Sequence, residues 1–233
     1  MIKHHPEFSM LAEYAAGNLD WGLSLAVCAH LQMCPCCRHE VDQLNRVGGA
    51  LLANSGGEKQ DVSDEQFRTL MENVREQEAK RIVSSEMKKF TAPQVPKRQF
   101  DGSLVKLPKV VEKLVAANKR LSWKRVSSSL KMARLKSNQS KYEIAFHKIC
   151  SGGRVPEHDH RGLEATVVLS GSFSDGDGIY QEGDFLLRQA GDVHRPIATQ
   201  DQECLCLSVS EAPVSLMSMF GRIINPLLAI RPA

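Results

Sequence analysis

The sequence predicts an α+β chain of two domains, with helices first and a β-sandwich or small barrel after them. Two changes of texture carry this prediction. Through the first ninety residues, apolar side chains recur every three or four positions, the period of a helix face. From Trp123 onward they fall in short runs separated by glycines, the pattern of many short strands. Between the two, Thr91 to Gly102 holds Pro93, Pro96 and Gly102 and suits neither element. The predicted bounds are 1–90 for the helical domain, 91–103 for a linker, 104–210 for the β-domain and 211–233 for a C-terminal tail.

Each element has a local reason. Glu7 to Ala16 reads as a helix stopped by Gly17, and Asp20 can cap a second helix running through Ala29. Val41, Leu44, Val47 and Leu51 make one apolar stripe of a third helix, ended by Asn54-Ser55-Gly56-Gly57. Asp64 opens a fourth helix to about Lys89, with Phe67, Leu70, Met71, Val74 and Ile82 as its apolar positions. A short helix is predicted at 109–118. Strands are predicted at 123–126, 132–135, 142–146, 163–169, 184–188 and 204–209.

Size and charge limit the function classes. A chain of 233 residues can bury roughly 70% of its unfolded surface, so metal is not needed to rescue the whole fold. A helical module of under a hundred residues is different, because a small domain can depend on zinc. The net charge of +3 is unevenly spread: residues 1–90 hold 10 Lys+Arg against 13 Asp+Glu, and the remainder 20 against 14. An acidic first half suits a basic protein partner better than a phosphate backbone, so no direct nucleic-acid binding is expected. No run approaches the roughly 20 apolar residues that span a bilayer, and the start does not read as a secretory signal. Four of the seven cysteines fall within Cys28–Cys37, which points to metal binding in a reducing compartment rather than a disulfide framework. The expected location is the cytoplasm.

Two constellations carry chemistry. On one helix, His30, Cys34 and Cys37 would lie within roughly 60° of one another, while Cys36 and Cys28 would face elsewhere. Pro35 interrupts that helix, so the cysteines can instead sit at a helix start; Cys-x2-Cys is a good zinc chelate either way. Three ligands leave one tetrahedral position, which His4 or His5 can fill, and a site closed by four protein ligands is structural. Downstream, His158 and His160 share a strand face, Glu164 follows a turn at Arg161-Gly162, and Gly191-Asp192-Val193 would return His194 from another strand. Three imidazoles and a carboxylate accept zinc or another divalent transition metal. Cys204 and Cys206 also share a strand face, either as packed thiols or as an oxidant-sensitive pair. Cys150 is expected in the core, and His39 and His147 carry no motif.

His5 followed by His30-x3-Cys34-x2-Cys37, with Tyr14-Ala15-Ala16-Gly17 and a Val47-Gly48-Gly49 turn, resembles the zinc-binding anti-sigma module of the ChrR family. The resemblance implies a four-helix module that clamps between the two conserved domains of an extracytoplasmic-function sigma factor, with His5 as the fourth zinc ligand. Gly152-x5-His158-x-His160-x3-Glu164-x6-Gly171 is similar to the first cupin motif, and Gly183 through Gly191 to His194 to the second. Gln189 and Ala198 stand where a proline and an asparagine are common, and neither change removes a ligand. The implied C-terminal domain is a cupin jelly roll over about 104–210.

Together these imply a non-enzymatic, zinc-dependent anti-sigma factor whose cupin senses singlet oxygen or organic hydroperoxide and releases the sigma factor. A cupin dioxygenase with Fe(II) at the same four downstream ligands is the alternative. A DNA-binding zinc finger is disfavoured, since the His30–Cys37 segment lacks a Lys/Arg stripe.

Overall fold

A computed structural model of the chain describes residues 2–54, 105–118 and 121–217, together with residues 65, 69, 72, 99, 100, 103 and 104. Packing divides the chain into two units, Met1–Arg46 with Val105–Ala233, and Val47–Leu104. In the second unit Glu65, Thr69 and Glu72 are helical. The Thr69 hydroxyl donates to the Glu65 carbonyl at 2.8 Å. The remainder of the helix expected at 64–89 lies outside the described residues. Across the end of the expected linker, β1 (Gln99–Phe100) and β2 (Ser103–Leu104) pair as a short antiparallel hairpin.

The first unit begins with α1 (Phe8–Ala15), closed as its sequence asks. Gly17 adopts φ +73°, which lets Asn18 N–H reach Glu13 O at 2.9 Å and Gly17 N–H reach Tyr14 O at 3.1 Å. Helix α2 (Trp21–Met33) is apolar on nearly every side and is correspondingly buried, with Leu23, Leu25, Ala26, Val27, Ala29 and Leu31 inside. It packs against α1, against α4 (Lys109–Ala117) and against two strands of the main sheet. Gly22 permits that approach, since a Cβ there would lie 2.6 Å from Tyr142 Cδ2. Asp20 precedes α2 as expected but makes no capping bond with its side chain. Lys141 Nζ at 2.5 Å and the Tyr142 hydroxyl at 2.9 Å draw its carboxylate away from the helix amides.

Helix α2 runs four residues beyond its predicted end and stops because of Pro35. The residue before a proline is kept out of the helical region, and Cys34 is extended at φ −104°, ψ 106°. Pro35 then opens α3 (Pro35–Asn54), where its missing N–H costs nothing. Val47-Gly48-Gly49, read as a turn, lies inside α3 instead. Of the predicted apolar stripe, Val41 is buried while Val47 and Leu51 are exposed.

Among the described residues from Trp123 onward, the strands form three antiparallel sheets. The largest has the order β10-β7-β13-β5-β4-β3, built from Phe185–Arg188, Glu164–Ser170, Cys204–Ser210, Glu143–Ile149, Leu130–Leu135 and Trp123–Arg125. A second joins β12 (Ile197–Ala198), β8 (Ser172–Ser174) and β9 (Ile179–Gln181). Leu130, Ile149, Val168, Phe173, Tyr180, Leu186 and Ala198 from these two sheets form one apolar cluster, the core of a sandwich. The third sheet joins β11 (Val193–His194), β6 (His158–His160) and β14 (Val214–Leu216). Strand β14 falls in the segment read as a C-terminal tail, yet it pairs Val214 with His160 and Leu216 with His158. No described helix is long and apolar enough to cross a membrane.

Two candidate metal centres

The first centre forms at the α2–α3 junction. His30 stands in the last turn of α2, Cys34 is the extended hinge and Cys37 lies in the first turn of α3. The break at Pro35 therefore brings the three together, rather than one continuous helix face. His5 completes the group: its Nδ1 lies 3.4 Å from Cys34 Sγ and 3.2 Å from Cys37 Sγ. His30 Nε2 is 3.3 Å from Cys37 Sγ. These separations approach the ~3.6 Å N–S edge of a tetrahedron built with ordinary zinc–nitrogen and zinc–sulfur bonds. His30, Cys34 and Cys37 are all buried, whereas His5 is exposed. Cys36 is exposed, as its angular offset requires. His4 takes no part in this group.

The protonation state suits a metal. His30 Nδ1 lies 2.8 Å from the Gly183 carbonyl, which can only accept, so Nδ1 carries the proton and Nε2 presents its lone pair to the cysteines. Burial holds the His30 imidazole down at about 4, so it is neutral near pH 7. Burial and the neighbouring Cys34 push the Cys37 thiol up to about 12. Two buried thiols between two imidazoles are costly as anions with no cation and are a good soft donor set with one.

The second centre lies on the small sheet. His158 and His160 project from one face of β6, and the Gly191-Asp192 turn returns His194 opposite His158 in register. His194 Nε2 lies 3.0 Å from His158 Nε2 and 3.1 Å from His160 Nε2. The outer nitrogens are committed elsewhere: His158 Nδ1 donates to Pro156 O at 2.9 Å and His194 Nδ1 to Asp175 Oδ2 at 3.0 Å. The three Nε2 atoms thus converge at a spacing close to the ~3 Å of adjacent nitrogen ligands around one cation. Burial lowers His160, and it lowers His194 to about 4 against the opposing bond from Asp175.

Glu164 does not join the three histidines. It starts β7 on the large sheet, where its carboxylate accepts from Ser210 Oγ at 2.6 Å and Thr166 Oγ1 at 3.2 Å. Burial alone would raise this carboxyl, but His147, His160 and the Ser210 bond outweigh it and hold it below the usual range. His147, which no motif singled out, is thereby an electrostatic neighbour of Glu164. Asp175 was equally invisible. Its side chain is fully buried, and Arg188 Nη2 bonds it at 2.8 Å while it orients His194. The run Ser174-Asp175-Gly176-Asp177-Gly178 signals a turn, but nothing local signals its histidine partner.

Cys204 and Cys206 share a face of β13, with sulfurs 3.7 Å apart, and pack in the apolar cluster. The Cys206 thiol is raised well above its ordinary value by its bond with Cys204 and by burial. Cys150, expected in the core, is exposed just beyond β5.

Comparison with known proteins agrees with this layout. Residues 111–214 match the family described as the ChrR cupin-like domain. The anti-sigma-E factor ChrR of Cereibacter sphaeroides is 27% identical over 98% of this chain and 99% of its own length. The crystal structure of Rhodobacter sphaeroides SigE in complex with the anti-sigma ChrR is similar with a TM-score of 0.66 at 25% identity. That match covers 90% of this chain and 99% of the other. With helices bearing a His/Cys group ahead of a segment that matches the ChrR cupin-like domain, the chain is similar to ChrR in layout along nearly its whole length.

Proposed function

We propose that this chain is a regulatory protein, an anti-sigma factor that binds an extracytoplasmic-function sigma factor in the cytoplasm and inhibits it. The observation that carries this reading is the assembled His5–His30–Cys34–Cys37 group in a chain similar to an anti-sigma factor over nearly its whole length. Zinc at these four residues would tie the N-terminal tail, the end of α2 and the start of α3 together. In comparable small modules such a link contributes on the order of 10 kcal/mol to folding. No position would remain for water or substrate, so the centre is structural and the partner reads the shape it maintains.

The cupin is the sensory half in this reading, with singlet oxygen or organic hydroperoxide as the stimulus. His158, His160 and His194 would hold zinc or another divalent metal. Glu164, as a fourth ligand, would exchange its bonds from Ser210 and Thr166 for that metal. Release of the sigma factor requires the stimulus to favour the released state differentially. A dioxygenase reading would leave the N-terminal centre without a use. The domain bounds serve the same proposal, with a helical inhibitory part ahead of Pro93 and a cupin from about residue 104.

The direct test is co-purification. Cys34→Ala with Cys37→Ala is expected to abolish capture of the cognate sigma factor. Capture that persists with zinc shown absent would sink the anti-sigma mechanism. In a truncation near Pro93 that still captures the sigma factor, induction by oxidant is expected to be lost, and induction that survives would refute the sensory role.

A further inference from the structure

Two of the four candidate ligands of the N-terminal centre are held from the cupin: His5 through its tail and His30 through its ring. Residues 2–5 reach it as a tail with no helix or strand of their own, and chain ends stay ordered only where they are tied down. The tie is the turn between β9 and β10. Asp184, fully buried, accepts from the backbone N–H of Lys3 at 2.8 Å and of His4 at 3.1 Å through one oxygen. Its other oxygen accepts from Gln181 N–H at 2.9 Å. Phe185 N–H donates back to the His4 carbonyl at 3.0 Å. Gly183, at φ +92°, leaves room for Ile2, whose Cδ1 would lie 2.4 Å from a Cβ there. The His4 ring rests on Tyr180, with centroids 4.6 Å apart. The same turn takes the His30 proton at the Gly183 carbonyl, 2.8 Å away.

We infer that the β9–β10 turn of the cupin is the outer shell of the N-terminal metal centre, and that Asp184 positions His5 while Gly183 orients His30. Metal retention at the helical centre is then set in part from within the cupin. The inference rests on His5, His30, Cys34 and Cys37 being metal ligands, and it adds the control of that site to the proposed function. Partners that orient metal-bound histidines are generally worth 10- to 100-fold in affinity. Asp184 is well suited to this by geometry, since its two oxygens together accept three backbone N–H groups. The turn also continues toward the other centre: Tyr180 accepts from Arg188 at 3.2 Å, Arg188 holds Asp175 at 2.8 Å, and Asp175 orients His194.

Two full-length variants test it, and both keep every candidate ligand. Asp184→Ala removes the anchor from the cupin side. Deletion of Ile2 and Lys3 removes the Ile2 packing at Gly183 and the Lys3 bond to Asp184 from the tail side and leaves the cupin untouched, which guards against a misfolded Asp184→Ala. The protein is loaded with zinc, and two rates are followed: transfer to a chromophoric chelator, and alkylation of Cys34 and Cys37 mapped by peptide mass spectrometry. Both rates are expected to rise about 10-fold in the deletion variant, and in Asp184→Ala if its thermal melt shows it folded. Wild-type rates in the deletion variant, or in a folded Asp184→Ala, overturn the inference. If zinc fails to protect Cys34 and Cys37 even in the unaltered chain, the ligand assignment itself falls. Protection there with unchanged rates in the variants removes only the role of the turn.

Discussion

Replacing Asp175 should separate the stability of the cupin from its hold on a metal. The carboxylate is fully buried and meets four donors: His194 Nδ1, Arg188 Nη2, and the backbone N–H groups of Asp177 and Gly178. Truncation to alanine leaves these without their acceptor, and breaking a buried ionic partnership costs about 3–5 kcal/mol. Arg188 retains Asp177 at 2.7 Å and Tyr180, so the lower end, about 3 kcal/mol, is expected. Asp177 is 63% exposed, and an exposed pair compensates by only about 0–1 kcal/mol. Asp175→Asn keeps an acceptor for the turn amides and loses the charge, for a cost of about 1–2 kcal/mol. Both variants should also lose about 10- to 100-fold in metal affinity at His158, His160 and His194, because His194 is no longer held as its Nδ1–H tautomer. Urea unfolding in the presence of a chelator reads the stability without the metal. Competition against a chromophoric chelator then reads the affinity. If Asp175→Asn matched the unaltered protein in both, the reasoning would fail.

Three further outcomes are expected. In metal-stripped protein, His30 and His194 sit near 4 in the fold against an ordinary 6.5, so the unfolded chain binds more protons between those values. Stability should therefore fall as pH drops from 6.5 to 4, by an order of 3 kcal/mol per histidine, and urea midpoints flat across that window would contradict it. Gly22→Ala gains about 1 kcal/mol of helix propensity but places a Cβ 2.6 Å from Tyr142 Cδ2; the net should be a loss of about 1–2 kcal/mol, and a stabilised variant would show that α2 does not approach Tyr142 so closely. Iodoacetamide on the native chain should label Cys36 and Cys150 and spare Cys204 and Cys206, with peptide mapping as the check and labelling of the β13 pair as the refuting result.

The sequence by itself determined the order of helices before the main strands and pointed to most of the residues that meet in the two candidate centres. It could do so because those signals are local. Helix and strand periods repeat within a few residues, and His30, Cys34, Cys37, His158 and His160 sit close enough along the chain for backbone geometry to relate them. Pro35 is the clearest case: a rule about one dipeptide places the bend that brings His30 and Cys37 together. Only the tertiary structure decided what lies between distant segments. Asp184 is some 180 residues from the tail it holds, and Gly183 is 153 residues from His30. No period or spacing relates such pairs, because their meeting depends on how α2 packs against the sheet. The same holds for Glu164, whose spacing matches a ligand motif while its carboxylate follows sheet neighbours Thr166 and Ser210. Spacing along the chain sets which groups can converge; the competition among buried hydrogen-bond partners sets which of them do.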